Sequence, residues 1–389
     1  MPASLSRHRL RTALLFAVLL VSAGGDEVAV FALTFHLASS GAYFVAALQI
    51  AGLLPGVLLG RYVGGRLVGH RPGPVLATAS AAQAAAAVVL SFGLPPEAVV
   101  GCVALLAAVN TVSATVVSAA LPVLADTDVA EKAYGFAQSA SSLAMVLGPL
   151  AGSALFAVLG VRGALLADAA TFLAVAAYGV AVRTVDLVPG HGETDDVPAR
   201  GGLTGGSVLA VGLVFVVIAA TAGTDVAFVF LVREHVPGSA VAVFGFATAA
   251  WAVGIMAGSA LAGSLSPVHP VVRLALSGSV IGAVYLVCGL APGVTVLLST
   301  FLVGGAANAV FNTTLRAALY RMAGPAEAAR AFGTFIAGAN TAVLCGIVVA
   351  TPFAEGTSAW TYTVGGAAAL LAALATLPVA LRTREGEPA

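Results

Sequence analysis

Apolar residues run along this chain in blocks about as long as the twenty residues an α-helix needs to cross a bilayer core. Twelve stretches reach that length: 12–36, 42–62, 73–93, 98–124, 134–159, 163–182, 207–232, 240–263, 271–291, 293–319, 329–354 and 358–381. One polar break is longer than the others. Residues 183–206, with Thr194-Asp195-Asp196 and closely spaced glycines, have the composition of a flexible linker. The pattern predicts an all-α integral membrane protein of twelve transmembrane helices. A six-helix bundle over 1–182 is joined by a cytoplasmic linker, 183–206, to a second bundle over 207–389.

The polar residues inside these blocks are few, and they repeat. Ser22-Ala-Gly-Gly25-Asp26-Glu27-Val-Ala-Val-Phe31 returns 199 residues later as Thr221-Ala-Gly-Thr-Asp225-Val-Ala-Phe-Val-Phe230. Gly52, Gly56, Gly60 and Gly64 correspond at an offset of 198 to Ala250, Gly254, Gly258 and Ala262. Asn110 matches Asn308, and Tyr134-Gly135 matches Phe332-Gly333 at that same offset. A near-constant offset indicates a duplicated six-helix unit. Because each unit has an even number of spans, the two bundles share one orientation and are pseudo-symmetric about an axis along the membrane normal. The rows of small residues in the second and eighth spans serve either tight helix packing or sliding of the two halves.

Charge sets the orientation. With a cytoplasmic N-terminus, fifteen of the lysines and arginines lie inside and only Arg162 and Arg233 outside, so both termini are expected in the cytoplasm of a cell-membrane protein. Arg7, Arg9 and Arg11 before an apolar run resemble a secretory signal. That reading is rejected because the phrase across the supposed cut recurs in the seventh span. Sixty per cent of residues are hydrophobic, 9% are charged, and the mean hydropathy is +1.03. Soluble domains carry about 25% charged residues. The net charge of zero gives no sign of nucleic-acid binding. Lys132 is the single lysine, which excludes a Walker A loop. Cys102, Cys288 and Cys345 stand singly in apolar runs and read as core residues, so no metal or cofactor is expected.

Two acids in matching places carry the chemistry. A carboxylate at mid-bilayer costs about 3 kcal/mol on insertion scales and defaults to function. Burial disfavours the charged form of a carboxyl, the property a group that binds and releases protons needs. Asp26 is the first candidate for proton coupling, with Asp225 second because it lies nearer the outer end of its span. Glu27 points about 100° from Asp26 around the helix. It either faces a neighbouring helix or is itself the proton carrier. Ser22 and Thr221 each stand four residues before an aspartate and share its face. Asp168 is read as an acid favoured by the dipole at the start of the sixth span.

These motifs together resemble the major facilitator superfamily, and within it the twelve-helix drug and siderophore efflux branch of proton antiporters. The resemblance rests on Gly25-Asp26 with Ala32-Leu33, on Leu121-Pro122 and on the acidic loop 126–131. Gly148-Pro149-Leu150-Ala151-Gly152 is similar to the antiporter motif, and Gly304-Gly305-Ala306-Ala307-Asn308 to the tenth-helix region. In the loop after the second span, Gly60, Arg61, Arg66 and Arg71 follow the family pattern, but its usual Asp is missing. The resemblance implies gating roles for these residues and for Gly148, Pro149 and Gly152. It also implies that spans one, four, seven and ten face a central cavity. Asn308, Asn312 and Arg316 at i, i+4 spacing, with Asn110 in span four, then become substrate contacts. Gln138 and Asn340 are further cavity candidates. Arg316 either snorkels to the cytoplasmic surface or meets an anionic substrate group.

The expected function is export of a small, amphipathic organic molecule or drug by proton antiport and alternating access, with no cofactor beyond the proton gradient. The expected partners are the substrate, protons and the lipid bilayer, and a monomer is expected. An importer or uniporter of a small polar nutrient is the alternative; a non-transporting membrane sensor is a remote one. No nucleophile–base pair points to an enzyme.

Overall fold

The computed structural model describes residues 2–66, 71–124, 130–182, 205–265 and 268–376. Apart from a 3-10 turn at Pro237–Ser239, its regular elements are ten α-helical runs. They are α1 (Pro2–Leu37), α2 (Ala42–Arg66), α3 (Pro72–Leu90), α4 (Pro96–Leu124), α5 (Ala130–Ala181), α6 (Gly205–His235), α7 (Ala240–Ser264), α8 (Pro270–Leu290), α9 (Val294–Ala354) and α10 (Ser358–Ala375). Proline opens α3, α4 and α8, at the position where its missing N–H is not needed.

Ten runs hold the twelve predicted spans. The 52 residues of α5 would reach about 78 Å at 1.5 Å per residue, far more than one crossing. The run breaks at Gly160, whose φ of 66° and ψ of −171° leave the helical region. A residue with a side chain rarely adopts that conformation. The fifth and sixth spans are therefore consecutive helices of α5. The 61 residues of α9 likewise contain two apolar stretches, 294–318 and 335–354, the expected tenth and eleventh spans. Eleven apolar stretches of crossing length occur among the described residues, and one of them, 139–181, covers two spans. The chain is thus a multi-pass membrane protein.

The helices fall into two compact units, Met1–Ser40 with Ala47–Glu193, and Gly41–Ala46 with Thr194–Ala389. In the first, α1 and α3 both pack against α5, and α3 also packs against α4. Val28, Ala32 and Ala164 close the α1–α5 seam together with Leu155, Phe156 and Val161. Ala84, Ala87, Ala169 and Phe172 close the α3–α5 seam. Small residues dominate because helices in lipid gain their association from close backbone approach.

The second unit has a more aromatic core. Phe228 of α6 stacks on Phe244 of α7 and meets Phe301 of α9, each at 4.5 Å between ring centroids. The series continues through Trp251, Tyr285 and Tyr362.

The two rows of small residues do different work. Gly254 and Gly258 of α7 lie against the backbone of α9 at Leu302 and Ala306, where a β-carbon would collide. This row is a packing seam inside the second unit. In α2, by contrast, a β-carbon on Gly52 would meet nothing within 4 Å, and one on Gly56 only the Thr111 hydroxyl at 3.9 Å. Linker residues 183–204 lie outside the described residues.

Candidate functional site

Gly25 decides where Asp26 lies. A β-carbon at Gly25 would strike Thr171 and the Asp168 carboxyl, so only glycine lets α1 come this close to the second half of α5. The approach places Asp26 and Asp168 in the wall of one cavity of about 380 Å³ in the first unit. Asn110 of α4, Gln49 of α2 and Thr34 of α1 add polar atoms; most of the remaining lining is aliphatic, including Leu33, Leu48, Leu106 and Leu165. Such a shape, largely apolar with a few convergent polar groups, is that of a small-molecule site. No basic residue lines this cavity. Gly52, the open position of the α2 row, is part of its wall.

Asp168 is 2% exposed, and Thr171 donates to its backbone carbonyl at 2.7 Å while sitting 3.4 Å from its carboxyl. Besides standing early in the second helix of α5, Asp168 shares the cavity wall with Asp26, which the dipole reading did not anticipate. A sequence signal existed, since Asp168 is a further acid within a predicted span. Its place near a span end masked it.

Glu27 takes the other direction. Its β-carbon packs where Gly148 of α5 has no side chain, and Phe31 lies the same way against Gly152, at 3.1 Å from a β-carbon built there. Two glycines four residues apart receive two side chains four residues apart, a ridge seated in a groove. The Gly148-Pro149-x-x-Gly152 segment therefore seats α1, and α1 in turn presents Asp26 to the cavity and Glu27 to α5.

The matching site in the second unit is built differently. Thr224 occupies the place of Gly25, and Gly365 of α10 lies beside it: a β-carbon there would strike the Ala220 carbonyl of α6 and touch the Thr224 methyl at 3.4 Å. The Thr224 hydroxyl donates to the Thr221 carbonyl at 2.6 Å and interacts with the hydroxyls of the buried Tyr285 and Tyr362. Asp225, surface-accessible beside Thr224, bears electrostatically on both tyrosines. Tyr285 and Tyr362 were not anticipated; a tyrosine in an apolar span with a hydroxyl to satisfy was the available signal.

Other anticipated residues scatter. Thr221 bonds back to the Val217 carbonyl at 2.9 Å. Asn312 donates to the Asn308 side chain at 2.9 Å and to its backbone carbonyl at 3.0 Å, so this part of the ribbon ties to itself. Asn312 and Arg316 are exposed, and Ser22, Asn308 and Asn340 are half-buried. Arg71 is exposed at the N-cap position of α3. Pro149 is buried within α5. The side chains of Gln138, Arg61 and Arg66, and the surroundings of Gly60, lie outside the described residues. A larger groove of about 620 Å³ between α6, α9 and α10 is almost wholly apolar. Val349, Phe353 and Trp360 stand exposed along it, as on a face turned to lipid.

No family model matches the sequence, and no curated protein is similar to it in sequence. Solved structures do match in fold. The nucleoside transporter NupG superposes with a TM-score of 0.74 at 12% identity, over 95% of this chain and 98% of that one. A bacterial homologue of the iron transporter ferroportin, in an inward-facing state, gives 0.70 at 14% identity, over 95% and 98%. The human organic anion transporter MFSD10 gives 0.60 at 16% identity, over 95% and 99%. The chain has the major facilitator fold.

Proposed function

We propose that this protein is a secondary active transporter of the cell membrane, exporting a small amphipathic organic molecule in exchange for protons by alternating access. The observation that carries the reading is the cavity of the first unit, with two carboxyl groups, an Asn and a Gln set in an aliphatic wall. Asp26 is the proton carrier in this reading, because it faces the cavity and Glu27 faces α5. A wall with two acids and no base favours a substrate that brings positive charge or hydrogen-bond donors. Proton and substrate then compete for Asp26, and binding of one releases the other. Within the second unit, Asp225, Asn308 and Asn312 are the candidates for substrate contact or charge relay. Both termini lie in the cytoplasm, as the distribution of arginines supports. The fold shared with carriers of nucleosides, organic anions and iron supports transport as the general activity.

The test is Asp26→Asn in everted membrane vesicles. Accumulation of substrate driven by an imposed proton gradient is expected to vanish, while Glu27→Gln retains it. Unchanged accumulation in Asp26→Asn would defeat the assignment.

A second reading, uptake of a small polar nutrient without proton exchange, is favoured by the hydrogen-bonded pair of half-buried Asn308 and exposed Asn312. Growth that depends on one nutrient, with no change in tolerance to toxic compounds, would select it.

A further inference from the structure

Gln83 interrupts a run of alanines, Ala81-Ala82-Gln83-Ala84-Ala85-Ala86-Ala87, in α3. It is 2% exposed, and both ends of its amide are engaged by α4. Its Oε1 accepts from the Ser113 hydroxyl at 3.2 Å, and its Nε2 donates to Asn110 Oδ1 at 3.3 Å. An amide has one accepting end and one donating end. With the accepting end held by Ser113, the donating end faces Asn110, and Asn110 must answer with its oxygen. The Asn110 NH₂ group is left over. Asn110 is exposed, and it lines the cavity that contains Asp26 and Asp168.

We propose that Gln83 is a positioning residue that sets the hydrogen-bond polarity of the cavity: it holds Asn110 as a donor, so that the site selects molecules carrying an acceptor beside the group that meets the acids. The inference rests on the cavity being the substrate site, as in the function proposed above. It adds what the acids alone do not supply, a discrimination between substrates of equal charge. Without Gln83 the Asn110 amide is free to rotate, and donor and acceptor ends face the cavity alike. Ser113 acts one step further back: its hydroxyl donates to the Oε1 end of Gln83 and leaves the Nε2 end to Asn110.

The experiment compares two cations that differ by a single acceptor, tetraphenylphosphonium and its 4-acetyl derivative, transported by the full-length protein in proteoliposomes under an imposed proton gradient. Wild type is expected to show a lower KM for the acetyl compound. Gln83→Met raises that KM about tenfold, the scale of one positioned hydrogen bond, with kcat and the KM for tetraphenylphosphonium unchanged. Asn110→Leu removes the same preference, and Gln83→Met adds nothing in its background. Asn110→Asp keeps an acceptor and loses the donor, so it too abolishes the preference. Ser113→Ala weakens it partially, which keeps the proposal testable where Gln83→Met does not fold. Equal KM values for the two cations in wild type, or a Gln83→Met effect on both alike, would overturn the role of Gln83 while leaving the cavity assignment standing. Transport of neither cation by wild type would count against the cavity as substrate site, and against this inference with it.

Discussion

Asp26 and Asp168 reach one cavity from different helices, so removing either carboxyl leaves the other in place. Their roles separate by position: Asp26 sits on α1, held by its neighbours Gly25 and Glu27, whereas Asp168 is almost wholly buried behind it. Asp168→Asn is expected to reduce proton-driven accumulation roughly tenfold, the range for one hydrogen bond to a charged group, and Asp26→Asn to abolish it. Asp225→Asn, outside this cavity, is expected to lower it less than about threefold, a fraction of one such bond. Counterflow of labelled substrate in proteoliposomes measures all three without a proton gradient and separates lost coupling from lost binding. Substrate added to the purified wild type in weak buffer should release protons, and Asp26→Asn should release none; a pH electrode or indicator dye reads the difference.

Helix seams explain why glycine rows that look alike in the sequence do unlike things. Gly148 and Gly152 accept Glu27 and Phe31 of α1, and Gly254 accepts the α9 backbone at Leu302. Gly148→Leu and Gly254→Leu are each expected to destabilise by about 1–3 kcal/mol or more, the usual result of overpacking. Thermal unfolding of detergent-solubilised protein, followed by fluorescence size exclusion, checks this. Gly52→Leu should unfold near the wild-type temperature, because its β-carbon meets no atom, yet lose substrate binding because the side chain fills the cavity. The glycine rows were plain in the sequence. Which row packs and which borders a cavity was not, since that depends on the helix opposite.

Across the whole molecule, the placement of arginines makes a prediction about topology. Alkaline phosphatase fused after Ser39 or after Gly238 is expected to be active, and fused after Val182 or at Ala389 to be inactive. The reverse pattern would invert the proposed orientation. The same scale shows why Gly160 matters. The 52-residue run of α5 becomes two spans only because that residue adopts a positive φ, and both halves of α5 are needed around α1, one for Glu27 and one for Asp26.

The sequence by itself determined the membrane class and the spans, because insertion into lipid is decided by local apolar length and by charge at span ends. It also singled out Asp26, because an acid in the middle of an apolar block stands out without a neighbour. Only the tertiary structure joined Asp168 and Gln83 to that acid and turned Glu27 away from it. Those assignments depend on which helix faces which, and a short residue such as Gly25 sets that through contacts with Asp168 and Thr171 more than 140 residues away in the chain. The matching Thr224 met Tyr285 and Tyr362 instead, so two copies of one phrase became one acid-lined cavity and one tyrosine-lined seam.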